Sequence, residues 1–421
     1  MKRLTNFYTE LNIYYKLIPF LILYSIICVV FVPDKIIGDE GRYLDFAHNI
    51  IRGYYSPPYP EINLWNGPGY PILIAPLVLL KFPFIALRML NVFLLYFSLI
   101  FSYKTVRVYS SKNSALFFTI ILGLYFPIIE QTRLILTETL AWFLISLICF
   151  LFVKSYQQEK NSWKLITLSA FAIAYLAMTK VIFGYIILIM LFASISAFLI
   201  PAFRSSAKKS TFIFLLSFIF CLPWLFYTYS LTNRLFYWSN SGSMSLYTMS
   251  TPYSNELGDW SSINTLQQNP NHKVFIDSIV KLKSLQRDDA FKTAAIENIG
   301  NHPQKYASNW IANVGRLFFS YPYSNTEQKI TSYFYIIPNM FFIVIITLIL
   351  PISFMNYIKF PVEMIFLFLF VVIYLFGSSL VSAYTRMFYI TIPFWILFIA
   401  FVFNNIISVN IKQSKKLIIF Q

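Results

Sequence analysis

Two adjacent carboxylates, Asp39 and Glu40, follow the first apolar stretch of the chain and are the clearest candidates for chemistry. They open residues 38–52, whose apolar positions recur at helical spacing and predict an amphipathic helix along a membrane interface. One carboxylate there could act as a general base that takes the proton of an attacking hydroxyl. Alternatively, Asp39 caps the helix and Glu40 only favours the helix dipole.

Four basic residues are expected near the same interface as this acidic pair. They are Arg88, Arg133, Lys180 and Arg386. Guanidinium and ammonium groups are the usual partners of phosphate oxygens, so together they predict a phosphate-binding pocket. Each one alone could instead be a helix-end cation whose charge reaches the interface. Arg133 also has two acids nearby in sequence, Glu130 and Glu138, which could orient it.

The composition excludes a soluble protein. The 421 residues are 58% hydrophobic and only 12% charged, whereas an ordinary globular protein is about 25% charged. Soluble enzymes and nucleic-acid binders are therefore excluded, and the net charge of +16 indicates basic loops on the cytoplasmic side of a membrane. The three cysteines lie in apolar runs and predict neither disulfides nor a zinc site.

Ten apolar runs approach the length that crosses a hydrocarbon core of about 30 Å. Threading them from a cytoplasmic N-terminus puts most basic loop residues on one side, as the positive-inside rule requires. Residues 69–80 are also apolar, but they are few and contain Pro71 and Pro76, so we interpret them as interfacial or re-entrant. The ten predicted spans are 15–33, 83–103, 114–129, 137–153, 164–178, 182–200, 210–228, 331–350, 361–381 and 388–407.

These spans divide the chain into three predicted regions. Residues 1–229 form a catalytic membrane module with spans one to seven and an outer loop, 34–82, that carries juxtamembrane helices. Residues 230–330 have soluble-like composition and predict a small helical extracytoplasmic domain. Residues 331–421 supply three spans and a basic cytoplasmic tail.

The middle region has a pattern of its own. Residues 239–269 are rich in Ser, Asn, Gly and Pro and predict a loop, whereas residues 273–299 carry apolar positions at helical spacing. Pro303 suits the first turn of a further helix.

Residues 38–77, GDEGRYLDFAHNIIRGYYSPPYPEINLWNGPGYPILIAPL, resemble the first outer loop of membrane-embedded glycosyltransferases that use lipid-phosphate sugars. This GT-C superfamily includes the aminoarabinose transferases and the protein O-mannosyltransferases of glycosyltransferase family 39. The resemblance rests on the element Asp-Glu-x-Arg-Tyr with Ala47 behind it. Further matches follow in the expected order and are Ala86-Leu87-Arg88, Arg133 to Glu138, Thr179-Lys180 and Tyr384-Thr385-Arg386.

The resemblance implies a fold and an activity. The fold would be an all-α polytopic GT-C-like bundle of about 10 transmembrane helices, with a range of 10 to 12. The activity would be an inverting transfer of a sugar from a polyprenyl-phosphate-linked donor to a hydroxyl of a glycan, lipid or protein acceptor on the outer face. Aminoarabinose transferases carry Glu-Lys-Pro near the end of the loop, whereas this chain has Trp65-Asn66-Gly67-Pro68, which leaves the acceptor open.

The resemblance also implies roles for individual residues. Asp39 is the first choice for the base or for an acceptor-binding carboxylate, and Glu40 supports it. The four cations named above would hold the donor phosphate. Independently of the resemblance, Trp65, Tyr70 and Tyr384 near the outer surface could belong to an aromatic belt at the interface or stack on a sugar. The residues expected to support the site or bind substrate are Arg42, Tyr43, Trp65, Glu138 and Tyr384.

Two other functions stay open from the sequence, a surface-polysaccharide polymerase or ligase and a transporter or flippase of lipid-linked sugars. No cofactor is expected to be required; Asp39 and Glu40 could bind a divalent cation, but none is predicted. The expected partners are the donor, the acceptor and membrane lipids, without nucleic acid. The expected location is the plasma membrane, with both termini cytoplasmic and the active site extracytoplasmic.

Overall fold

The computed structural model describes residues 12–33, 35–158, 162–201, 203–325 and 330–407, which form helices and no β-strand. Within these ranges, six helices are long and apolar enough to cross a membrane, and seven if one bent pair counts as a span. Four shorter apolar helices add to them. The chain is thus an all-α, multi-pass membrane protein, as its composition predicts. The basic residues expected at the termini, Lys2, Arg3, Lys412, Lys415 and Lys416, lie outside the described residues.

The first part of the chain contains an apolar helix in each of the first seven predicted spans. The third of these spans is broken, because its two helices meet at 58° and Pro127 stands in the first turn of the second helix. The helices are α1 (Ile13–Lys16), α2 (Ile18–Val30), α3 (Glu40–Ile51), α4 (Gly69–Leu79), α5 (Phe84–Tyr109), α6 (Lys112–Gly123), α7 (Phe126–Ile129), α8 (Glu138–Tyr156), α9 (Trp163–Thr179), α10 (Ile182–Leu199) and α11 (Arg204–Thr232).

The loop between α2 and α5 carries the predicted juxtamembrane helix. This helix, α3, begins at Glu40 and ends at Ile51. It buries Tyr43, Phe46 and Ala47, three of the apolar positions whose spacing predicted it. Its neighbour α4 has 11 residues, which at 1.5 Å per residue is about 16 Å and too short to span the membrane. The two helices pack against each other.

The middle region differs from its prediction in two places. The prediction that residues 239–269 form a loop is wrong, because two short helices lie there. Tyr247 and Leu266 contribute to a small hydrophobic core that stabilises these helices. Residues 273–299 are largely helical, as their spacing predicts, but the chain leaves the helical path between Ile279 and Ser284, so that two helices lie there instead of one. The predicted start at Pro303 is confirmed. The helices are α12 (Gly242–Met249), α13 (Ile263–Gln268), α14 (Pro270–Ile279), α15 (Ser284–Asn301) and α16 (Pro303–Phe319).

A buried acid ties the segments of this region together. Glu256 pairs with His272 at 2.8 Å and accepts hydrogen bonds from Thr251 and Asn271. Burial favours the neutral acid, but the hydrogen bonds from His272, Thr251 and Asn271 outweigh it and lower the pKa of Glu256 to about 2. The charged form of Glu256 therefore stabilises this part of the fold.

The last three predicted spans each contain a helix. The last of these spans, 388–407, ends in a turn of π-helix over Phe403–Ile407. Every residue from Ile392 to Val402 is buried, because this final helix packs among α5, α6, α8 and the two preceding spans. The short helix before it packs against α16 and against the preceding span. The helices are α17 (Tyr333–Met355), α18 (Val362–Ser379), α19 (Thr385–Tyr389) and α20 (Ile392–Val402).

Candidate active site

Asp39 stands at the N-cap position of α3, but its carboxylate accepts no hydrogen bond from the helix amides. It faces two arginines instead, Arg42 at 3.2 Å and Arg386 at 3.7 Å. About 30% of the Asp39 side chain is exposed. The capping interpretation is therefore not observed for the carboxylate, which is free to meet a ligand between two cations.

Glu40 has a different environment from its neighbour. Its side chain has no exposed surface, and its carboxylate accepts hydrogen bonds from the amides of Ile37 and Ile135 at 2.8 and 2.7 Å. It also pairs with Arg88 at 3.4 Å. Glu40 thus fastens the start of α3 to α5 and to the segment before α8, and it supports Asp39 by fixing the helix that carries it.

Two of the four predicted phosphate ligands are engaged away from Asp39. Arg88 is buried against Glu40. Arg133 pairs with Glu130, three residues earlier, and donates to the carbonyl of Phe31. Their positions favour structural roles, in which they join the outer loop and the end of α2 to the bundle.

The other two cations converge on one acid. Lys180 lies between α9 and α10, and its ammonium is 2.8 Å from Glu138 Oε1. Arg386 in α19 lies 3.7 Å from the same oxygen. Glu138 is 1% exposed and stands in the first turn of α8, so it fixes both cations from inside the bundle.

Five residues from four parts of the chain form what we call the charged cluster. They are Asp39, Arg42, Glu138, Lys180 and Arg386. Three cations face two carboxylates, so the fully ionised cluster carries one net positive charge. Such an excess suits a phosphate group, because the cluster then approaches neutrality when the anion binds.

The pKa values of the two central cations shift in opposite directions. Burial lowers the pKa of Lys180, although the carboxylate of Glu138 opposes that shift. Burial acts in the same direction on Arg386, but attraction by Glu138 and Asp39 outweighs it and its pKa lies above the usual range. Arg386 is therefore a permanent charge at the centre of the cluster.

Two cavities meet at the charged cluster, and Asp39 and Arg386 line both. The larger, of about 490 Å³, has four tyrosines among its lining residues, Tyr323, Tyr335, Tyr384 and Tyr389, and is called the tyrosine cavity. The smaller, of about 220 Å³, is the inner cavity. Substrates held in the two cavities would face each other across the Asp39 carboxylate. Lining residues of the inner cavity are Tyr43, Trp65, Asn66, Gly67, Lys180, Ser241, Ser245 and Ser378.

The predicted supporting residues surround these cavities. The guanidinium of Arg42 lies over the Trp65 ring at 5.4 Å and donates to Asn66 Oδ1 at 3.1 Å. The amide of Asn66 in turn donates to the Tyr43 hydroxyl. Tyr384 lines the tyrosine cavity. Of the three aromatic residues proposed for sugar stacking, Trp65 and Tyr384 thus lie on a cavity wall. Tyr70 is instead fully buried, and its hydroxyl donates to Asn91 Oδ1.

The turn around Asn66 was not predicted as part of the site. A Cβ atom on Gly67 would overlap the carbonyl oxygen of Met178, and one on Gly69 would overlap the Thr179 hydroxyl. The two glycines therefore let this turn approach the junction that carries Lys180. The sequence signal was the small-residue run Asn66-Gly67-Pro68-Gly69, which marks a close backbone approach.

Within the described ranges, no group of three or more His, Cys, Asp or Glu side chains could hold a metal ion. The expectation that no cofactor is required stays a prediction.

This site belongs to a chain that is similar to membrane glycosyltransferases. Residues 66–234 match the family model described as dolichyl-phosphate-mannose-protein mannosyltransferase, and the match covers Arg88, Glu138 and Lys180. It confirms the resemblance to the GT-C superfamily that the outer-loop motif predicted. No curated protein matches the chain. Among solved structures, the crystal structure of ArnT from Cupriavidus metallidurans bound to undecaprenyl phosphate is similar over 92% of this chain and 76% of that chain, with 11% identity and a TM-score of 0.42.

Proposed function

We propose that the protein transfers a sugar from a polyprenyl-phosphate-linked donor to a hydroxyl group, with inversion, at the extracytoplasmic face of the plasma membrane. The observation that carries this proposal is the position of Asp39, a partly exposed carboxylate between two cavities and beside Arg386. The family match supports a donor in which a lipid phosphate carries the sugar.

The donor is assigned to the tyrosine cavity. Its walls offer aromatic rings to the sugar and the apolar side chains of Leu134 and Leu136 to the first part of the lipid. Arg386 lines this cavity and meets the phosphate. Lys180 contributes positive potential through the charged cluster, and Glu138 orients both cations.

The acceptor hydroxyl approaches Asp39 from the inner cavity. Asp39 takes the hydroxyl proton while the oxygen attacks the anomeric carbon of the sugar from the face opposite the phosphate. The new carbon–oxygen bond forms as the bond to the phosphate oxygen breaks, and that oxygen leaves with the electron pair. Preorganised positive charge at the leaving phosphate lowers the barrier.

The test is transfer of radiolabelled sugar from polyprenyl-phosphate donors in proteoliposomes. Removal of a general base lowers rates by about 10² to 10⁴, so we expect Asp39→Asn to lose at least a hundredfold in kcat. Asp45→Asn is the matched control, because Asp45 is an exposed acid on the same helix. Thermal melting and binding of polyprenyl phosphate establish that the variants are folded.

The same assay separates the other functions open from the sequence. If Asp39→Asn keeps native activity, the base assignment is wrong. If labelled donor crosses the bilayer without turnover, and equally well in both variants, a transporter of lipid-linked sugars replaces the proposal. Addition of several sugars to one acceptor would favour a polymerase or ligase.

We also propose that activity requires more than the predicted module 1–229. Asp39 and Lys180 belong to that module, whereas Arg386 comes from the predicted third region, 331–421, and Ser241 from the middle one, 230–330.

Transfer is expected to persist in EDTA, which tests the prediction that no metal is needed.

A further inference from the structure

A third cavity, of about 590 Å³, lies beside the charged cluster, shares Arg42 with it, and is called the loop cleft. One wall comes from the first loop and includes Glu61, Asn63 and Trp65. The other comes from the turn before α15 and the helix itself, with Lys281, Arg287 and their neighbours. The cleft is therefore formed between two segments that are more than 200 positions apart in sequence.

The charges that face the loop cleft are mostly positive. Its cations are Arg42, Lys281, Lys283 and Arg287, and its acids are Glu61 and Asp288. Asp288 is already engaged, because it pairs with Arg234 at 3.6 Å and accepts a hydrogen bond from Tyr237. Lys283 donates to the hydroxyl of Tyr59, a neutral partner that leaves its charge uncompensated. Arg42 is likewise engaged, with Asp39 at 3.2 Å. An occupant of the cleft therefore meets three further cations, Lys281, Lys283 and Arg287, and a single exposed acid, Glu61.

The uncharged groups of the cleft suit a carbohydrate. Trp65 supplies an aromatic ring, the usual platform for a sugar face. Asn240 lines the opposite wall, where its amide nitrogen donates to Ser284 Oγ at 3.0 Å. Its Oδ1 is buried without a hydrogen-bond partner among the described residues. The Asn240 side chain therefore lies on this wall with an acceptor that no described residue uses, and a small rotation of the amide would be needed to offer it to a sugar hydroxyl.

The loop cleft continues into the candidate active site. Trp65 lines both the cleft and the inner cavity. Arg42 lines the cleft and pairs with Asp39 at 3.2 Å. A molecule bound in the cleft is therefore one side chain away from the carboxylate assigned as base.

We propose that the loop cleft binds the acceptor and that the acceptor is an anionic saccharide, with carboxylate or phosphate groups. The proposal rests on the proposed function, because it extends the same site toward its second substrate. The cations fix the charged groups of the saccharide, and Trp65 and Asn240 hold a sugar ring. A hydroxyl of that saccharide then reaches Asp39 through the inner cavity.

The test measures binding of three defined probes to the full chain in detergent micelles. They are tetragalacturonate, the neutral galactotetraose of the same length, and a mannose disaccharide that carries one phosphate. We expect the anionic probes to bind at least tenfold more tightly than the neutral one and to weaken as salt is added. Comparison of the two anionic probes decides between carboxylate and phosphate.

Two variants connect binding to the cleft. The double variant Lys281→Gln with Arg287→Gln is expected to weaken binding of the preferred anionic probe at least tenfold. Lys292→Gln is the matched control, because Lys292 is exposed on the same helix and does not line the cleft. Equal binding of charged and neutral probes, or native affinity in the double variant, would overturn the proposal.

Donor hydrolysis by the native protein without saccharide tests the proposed function separately. Charge-dependent binding that needs Lys281 and Arg287 supports the cleft even if no donor is hydrolysed. Hydrolysis together with charge-independent binding supports the proposed function and overturns the cleft. In an acceptor titration, the double variant should raise KM for the anionic acceptor far more than it lowers kcat.

Discussion

Glu138→Gln tests whether the buried acid of the charged cluster positions its two cations. The substitution keeps the size of the side chain and one oxygen that can accept from Lys180, but it removes the charge. The charged cluster would then carry two net positive charges instead of one. Lys180 and Arg386, now 2.8 and 3.7 Å from Glu138 Oε1, would lose the carboxylate that fixes both of them.

The size of the effect follows from those contacts. A hydrogen bond to a charged group contributes about 1.5 to 3 kcal/mol, and glutamine preserves part of the bond to Lys180. We therefore expect a loss of about 2 kcal/mol in transition-state stabilisation, which corresponds to roughly thirtyfold in kcat. Affinity for polyprenyl phosphate should stay the same or rise, because the positive charge increases.

The assay combines sugar transfer in proteoliposomes with equilibrium binding of polyprenyl phosphate. Glu363→Gln is the matched control: Glu363 is a buried acid in the first turn of α18, and the hydroxyl of Tyr109 donates to it at 2.6 Å. If Glu138→Gln keeps kcat within threefold of native, Glu138 does not position the cations. Weaker phosphate binding would contradict the charge argument itself.

Two further predictions concern stability. Gly67→Ala would press a Cβ atom onto the Met178 carbonyl and should lower the free energy of unfolding by about 1 to 3 kcal/mol, measured as a lower Tm. Gly300→Ala is the control, because the space around Gly300 is open, and it should not lower Tm. An unchanged Tm for Gly67→Ala would contradict the close approach. Because hydrogen bonds, first from His272, lower the pKa of Glu256 to about 2, below the roughly 4.3 of an unfolded chain, the stabilisation is present above about pH 4.3 and is lost as the pH falls toward 2. Tm should therefore fall less steeply with acidification in Glu256→Gln, and parallel curves would refute this.

The membrane helices could be read from the sequence because hydropathy is a local property. The helix after Asp39 was predicted over 38–52 and is observed from Glu40 to Ile51, since its buried face repeats at helical spacing. The two helices within 239–269 were missed because Ser and Asn also favour turns and caps. Packing of Tyr247 onto distant Phe291 stabilises that region, and no local pattern reports such a contact.

For the candidate site, the sequence indicated which charged residues lie near one end of the helices, but not how they pair. Convergence of Lys180 and Arg386 near the acidic pair followed from counting helix ends. The partner of Arg88 could not be predicted in this way, because Glu40 lies 48 positions away in sequence and its neighbour Asp39 carries the same carboxylate group. Successive helical residues point about 100° apart, so one acid of the pair faces the interior and the other a cavity, and only the tertiary fold decides which.

The distance along the chain between Asp39 and Arg386 has a consequence for biosynthesis. A ribosome that adds about 5 to 20 residues per second needs roughly 20 to 80 seconds to reach Arg386. Until then the nascent protein has its juxtamembrane helix but lacks the arginine that pairs with both Asp39 and Glu138. Completion of the charged cluster therefore waits for the last part of the chain, and under the proposed function a partly made chain is expected to transfer no sugar.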